Sequence, residues 1–301
     1  MTLRMPPPPI EQATAMATMM VDGVELPLVE IRSTGDVILD VLFKNTPGCT
    51  KSIPRGALGG LRTKKISIPS PRVLYRVRLE TLKKQSAYFQ IMCKPQFSEG
   101  MKLEEDLARL AELKIDPTEA EAEKLPRIKI VDEDVETKTF GREQVFRDML
   151  RTVHGIAVSE VRPCCFGLQL ANNVWKDPLA APITTQCLTV LVLMADKYNF
   201  MPTIAKTLAK IFANHKYPTP TLMSKNGAEE VLRQKVLVQH YTDQGIRFTD
   251  STRELIVKGS VRWSGYEEDS SEFQTPWWDL PQGLEGGNIL VLHGHSIANI
   301  S

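Results

Sequence analysis

The 301-residue sequence has no uninterrupted apolar run near the ~18 residues that a membrane-spanning helix needs, so no α-helical span is expected. Where a secretory signal would carry its apolar segment, Met1–Pro9 has four consecutive prolines, and an intracellular protein of cytoplasm or nucleus is expected. Cysteine is scarce. The five present (Cys49, Cys93, Cys164, Cys165, Cys187) form no paired framework, which suits a reducing compartment. Zinc needs ligands projected from turns at set spacings, and His154, adjacent Cys164 and Cys165, and Cys187 do not supply them. These cysteines read as buried or half-buried free thiols, and His293-Gly294-His295 as incidental.

The motifs of catalysis are missing too. Gly56–Lys65 is glycine-rich and basic, yet lacks the G-x-x-x-x-G-K-[ST] spacing that wraps a phosphate, and reads as an insert between strands. The glutamates of 104–123 fall on one solvated helix, whereas a catalytic carboxylate pair needs two opposed environments. No enzyme, cofactor or metal site is expected.

What the chain does have is a core's worth of apolar residues, 42%, and charge laid out in blocks under a net charge of +1. Residues 51–84 hold ten Lys/Arg against Glu80 alone, and 99–136 hold thirteen acids against six bases. Beyond Trp263 there are six acids and no Lys or Arg. Such blocks are solvated faces or loops by default. The basic block is also suited to attracting phosphate without reading bases, with Tyr75 as its one interleaved aromatic. A nucleic-acid-associated regulatory protein using 51–84 is therefore the alternative class. An intramolecular contact between the basic and acidic blocks is a further alternative.

Along the chain, residues 1–23 read as a disordered tail, with Ile10–Met20 as its one candidate helix. Gly35–Phe43 opens on Gly-Asp and reads as a buried strand, and Ile66–Val77 as two short strands broken by Pro69 and Pro71. From Leu79 the period changes to that of two short helices turning at Ser86, whose hydroxyl is placed to cap the second. Leu103, Leu107 and Leu110 define an amphipathic helix ending near Pro117, and Arg127–Val131 alternates as a strand. Val145–Val153 is a helix stopped by His154-Gly155. Helices over Thr184–Tyr198, Thr203–Asn214 and a last unit from Ala228 to about Trp263 complete an α+β pattern.

Four sequence words, in this order, resemble the BTB/POZ family in its fungal version. They are Gly35-Asp36-Val37; Ser86–Met92 followed by Phe97–Gly100; Val145–Gly155, ending in His-Gly; and Leu193–Phe200, containing Ala195-Asp196-Lys197-Tyr198. The resemblance implies a small mixed sheet with clustered helices over 24–216, with inserts near 44–65, 101–125 and 160–182. A linker at 217–227, a helical region at 228–263 and an acidic Gly-containing tail at 264–301 follow. On the Ala-Asp-Lys-Tyr helix, Leu191, Met194, Ala195 and Tyr198 share a face, with Asp196 and Lys197 expected outward.

The same resemblance implies a non-enzymatic interaction module or scaffold. Some members recruit cullin-3 ubiquitin ligase as substrate adaptors through a hydrophobic-x-Glu sequence, which Phe97-Ser98-Glu99 matches here. Trp277-Trp278, in the acidic tail, either dock on the domain or anchor a partner groove. Exchange of an N-terminal helix and strand supports dimers in the family. The face offered by Ile10, Ala13, Ala17 and Met20 is modest, so a monomer or weak homodimer is expected. The insert 101–125 is expected to be a removable helical excursion.

Overall fold

The computed structural model describes residues 17–46, 49, 70–134, 137, 139–156, 185–212 and 225–258. Their strands are β1 Thr18–Val21, β2 Val24–Glu30, β3 Val37–Lys44, β4 Arg72–Val77 and β5 Arg127–Glu133. Their helices are α1 Leu79–Gln85, α2 Ala87–Met92, α3 Ser98–Glu112, α4 Arg142–Val153, α5 Thr185–Lys197, α6 Met201–Phe212, α7 Lys225–Tyr241 and α8 Gly245–Lys258. The α+β class expected from the sequence is what the protein has. None of these helices is long and apolar enough to cross a membrane.

The five strands make one mixed sheet in the order β1-β2-β4-β3-β5, with β2–β4 and β3–β5 parallel and the other pairs antiparallel. Strand β3 is buried almost throughout because both faces of the sheet are covered there. Val37, Leu39, Val41 and Phe43 face the helices with Tyr75, Ile128, Phe146, Met149, Val190 and Ala195. At roughly 1.5–3 kcal/mol for each large apolar side chain, this layer holds most of the stability.

Three sequence expectations meet the structure here, and the first and third of them change. The first concerns the tail: β1 lies inside 1–23, its Met19 and Val21 are buried, and it is joined to β2 by Asp22-Gly23. Both turn residues have positive φ (53° and 78°), the conformation that two-residue hairpins require. The Ile10–Met20 helix is excluded at its end by this strand, and its earlier part lies outside the described residues. The second concerns 66–77: the strand expected after Pro71 is present as β4, from Arg72, and the strand expected before Pro69 lies outside the described residues.

The third is the insert. Helix α3 places Leu103 in the main core, and the chain after it turns under the sheet. Ala120, Ala122 and Leu125, with Ile115 partly buried, cover the second face against Met19, Leu26, Leu28, Ile38 and Leu74. Arg76, itself buried, donates to the Ala120 carbonyl at 2.8 Å. The insert is therefore a wall of the core rather than an excursion.

Helices α7 and α8 are not a separate unit in packing terms. Val238 belongs to the main core, and Leu193 of α5 packs with Leu232, Val236, Leu237 and Leu255. Within α7, buried Arg233 and Glu229 pair at 3.1 Å, one helical turn apart.

Candidate docking surface and the buried polar cluster

Two groups of side chains stand out, one on the surface and one inside. The surface group sits where α2 turns into α3. Ser86 starts α2: its hydroxyl accepts from the Phe89 amide (3.2 Å) and donates to the Tyr198 carbonyl (2.7 Å), so the sequence-expected cap also ties α2 to the end of α5. This leaves Phe89 buried and its neighbours outward. Tyr88, Ile91, Phe97 and Met101 are exposed by 37–57% and follow one another around the turn. The turn is tight because Gly100 lies against the 93–94 backbone, where an added Cβ would stand 2.0 Å from the Lys94 carbonyl oxygen.

Phe97 is thus exposed, as a docking residue must be, while Glu99 is half-buried in the first turn of α3 and accepts from the Ser98 hydroxyl at 2.9 Å. Burial, and then the charge of Glu99, raise the Tyr88 phenol pKa, which puts carboxylate and phenol in one neighbourhood. Glu104 and Glu105, in the turn of α3 that follows Met101, are exposed as well.

The internal group centres on Asp132 of β5 and Arg142 at the start of α4, both nearly fully buried. Arg142 Nε donates to Asp132 Oδ2 at 2.7 Å. Its other N–H groups reach the carbonyls of Lys44, Asp132 and Thr139 and the side chain of Asn45, so the guanidinium is satisfied all round. Asp132 Oδ1 accepts from Lys197 Nζ (2.8 Å) and Tyr198 Oη (2.9 Å). Lys197 is exposed, as expected, and its ammonium reaches back along the surface to the sheet. Burial, reinforced by the Asp132 charge, pushes the Tyr198 phenol far above its ordinary range.

Beside them, Asp134 Oδ2 accepts from the Thr46 amide (3.0 Å), the Thr46 hydroxyl (2.9 Å) and the Cys49 thiol (2.6 Å). Burial opposes ionisation of Asp134, but the bonds from Cys49 and Thr46 and the Arg142 charge outweigh it and hold the carboxyl below its usual range. Burial and the same carboxylate push the Cys49 thiol up to about 12, far from a nucleophilic thiolate. Asp132 and Asp134 thus leave the solvated face assigned to their acidic block. Both carboxylate oxygens of Asp132 and all five N–H groups of Arg142 are spent on other protein groups, so this pair fixes a structure; Asp134 Oδ1 beside it is buried without a hydrogen-bond partner among the described residues.

Two arginines of the basic block are spent in the same way. Arg72 holds Asp40 at 2.6 Å and Asp22 at 3.2 Å, and Arg76 holds the Gly35 and Ala120 carbonyls. Among the described residues, Arg76 touches the acidic block through the Ala120 carbonyl rather than a carboxylate. His154 is committed as well: Nδ1–H donates to the Leu150 carbonyl (2.8 Å), and Nε2 accepts from the Arg78 amide (3.1 Å). Among the described residues no group of three or more His, Cys, Asp and Glu is arranged to hold a metal. Cys164, Cys165, residues 51–69, Trp277 and Trp278 lie outside the described residues.

No protein-family model matches this chain. Neither a curated protein nor a solved structure matches it.

Proposed function

We propose that this chain is a non-enzymatic protein-interaction module of BTB/POZ type, acting as a scaffold or adaptor in cytoplasm or nucleus. One observation carries the proposal: Tyr88, Ile91, Phe97 and Met101 are left exposed together at the α2–α3 turn. Large apolar side chains grouped in this way are what partner surfaces use. The element order supports the BTB type, with strands β3 and β4, the short pair α1–α2, β5 beside β3, then helices. So do the roles of the four sequence words. Gly35 stands where any Cβ would lie 2.8 Å from Val77 backbone atoms, and Asp36 accepts from the first amide of α1 at 2.7 Å. Ser86 caps α2, His154-Gly155 ends α4, and Lys197-Tyr198 binds Asp132.

The partner assigned by the family resemblance is cullin-3, through Phe97 and Glu99. Titration calorimetry of the chain with the purified N-terminal domain of cullin-3 tests this. Micromolar or tighter binding that weakens at least tenfold in Phe97→Ala supports it, with Glu99→Lys as a second probe. Absence of heat at 100 μM for the wild type removes cullin-3 as the partner. Against the nucleic-acid alternative stand the engagements of Arg72, paired with Asp40 and Asp22, and of buried Arg76, which holds two carbonyls. Salt-dependent retention of the chain on DNA or RNA would restore it.

A further inference from the structure

We propose that Lys114 is the acceptor for a small ubiquitin-like modifier, a covalent modification site on the turn that follows α3. The turn is a Schellman-type ending: the Ile115 amide donates to the Leu110 carbonyl (3.0 Å) and the Lys114 amide to Ala111 (3.0 Å). Its left-handed position, which favours glycine, is filled by Lys114 at φ 55°. A lysine in that conformation costs backbone energy, and such a cost commonly marks a position kept for what its side chain does. Lys114 is exposed, and no hydrogen bond or ion pair within the described structure engages its ammonium.

Its neighbours complete the requirement. Leu113, 63% exposed, is one of the most solvent-facing large apolar residues described, and a turn gives it no packing role. Ile115 tucks against the second core face and anchors the turn. Asp116 is exposed, and bonds from the Thr118 amide and hydroxyl hold its carboxyl below the ordinary range, hence ionised. Both bonds fall on Oδ1, which leaves Oδ2 without a hydrogen bond among the described residues. Leu113-Lys114-Ile115-Asp116 is thus an apolar–Lys–x–acid word, the pattern that the conjugating enzyme for these modifiers reads directly. The apolar side chain rests on the enzyme surface, the lysine enters its cleft, and the carboxylate meets basic groups there. Met101-Lys102-Leu103-Glu104 has the same letters, but it lies in the body of α3, with helix on both sides and Leu103 in the main core, whereas Leu113–Asp116 is at the helix end with Ile115 only partly buried.

In the step proposed, the Lys114 amine, having given up its proton in the cleft, attacks the thioester carbonyl joining the modifier's C-terminal glycine to the enzyme cysteine. A C–N isopeptide bond forms, the C–S bond breaks and the thiol leaves; nothing is oxidised or reduced. The full chain is incubated with purified activating enzyme, conjugating enzyme, modifier and ATP, beside a known substrate as control. One adduct is expected, mapped to Lys114 by peptide mass spectrometry. It should be absent in K114R, at least tenfold slower in D116N, and unchanged in K102R. Asparagine keeps the Oδ1 acceptor for Thr118, so D116N should melt like the wild type while losing the charge. An unmodified wild-type chain beside a modified control overturns the proposal, as does an adduct that survives in K114R or a D116N rate equal to wild type.

Discussion

Asp132 and Arg142, only ten residues apart in the chain, meet at 2.7 Å with both side chains almost completely buried. Between them runs the connection from β5 to α4, and onto the same carboxylate converge Lys197 and Tyr198 from α5. A buried charge stripped of its partner costs far more than the intact pair contributes, typically about 3–5 kcal/mol. Asp132→Ala is therefore expected to lower unfolding free energy by about that amount in urea titration. Tyr198→Phe, which removes one of several donors to that carboxylate, should cost less, about 1.5–3 kcal/mol. Equal losses in the two variants would contradict this ranking.

Removal of residues 102–124 is expected to give an aggregating or unfolded chain. The deletion uncovers Leu28, Ile38 and Leu74 and leaves Arg76 without its bond to the Ala120 carbonyl. Size-exclusion chromatography and circular dichroism of the deleted chain check it. A soluble monomer with unchanged helix and strand signals would return the insert to an excursion.

Ala195 is fully buried on α5 within the main core. Phenylalanine there must displace neighbours, and Ala195→Phe should cost roughly 1–3 kcal/mol. A melting curve superimposed on wild type would take this face out of the core.

His154 is expected to make stability depend on pH near neutrality. Burial, chiefly, holds its pKa below 6.5, opposed by its bonds to Leu150 and Arg78, with Arg32 lowering it and Asp36 raising it. The folded protein therefore binds this proton less readily than the unfolded chain. Its contribution is complete above 6.5 and falls away as pH drops from there towards the lower folded value. Protonation would also set an N–H against the Arg78 amide. Urea midpoints should fall between pH 7 and 5.5 in the wild type, and less in His154→Gln. Carboxylates held low, such as Asp134, titrate in a more acidic window.

The left-handed Lys114 supplies a stability test separate from its chemistry. Lys114→Gly removes the Cβ clash at that backbone position and is expected to stabilise by about 1 kcal/mol. A destabilised variant would mean that the lysine stem packs usefully on the turn.

Local chemistry was readable where a residue acts on its near neighbours. Ser86 caps a helix three residues on, and Gly155 at φ 70° ends α4 as the His-Gly pair implied. The Asp132 cluster was not readable, because its partners lie up to 98 residues apart (Arg142 to the Lys44 carbonyl) and no local period announces them. Nor was the insert's role, since Ala120 and Ala122 seal a sheet face with side chains too small to mark a stripe. Strand β1 was readable and missed. Val21-Asp22-Gly23-Val24 is an Asp-Gly turn between apolar residues, a strong short-range hairpin signal. The exposed α2–α3 surface was legible only in Phe97 and Glu99, because which side of a short helix faces out depends on what packs beneath it.

The Asp22-Gly23 hairpin has a consequence for how copies of this chain meet. Two residues are all that separate β1 from the strand it pairs with, from Thr18 opposite Pro27 to Val21 opposite Val24. A strand held on so short a leash is not available to be lent. To join another molecule's sheet, β1 must break its own turn, draw Met19 and Val21 out of the second core face, and give up the seal they make with Leu26. Exchange of β1 alone between copies is therefore expected to be costly, and a pairing that leaves the hairpin intact uses surfaces that remain outside once that strand is in place.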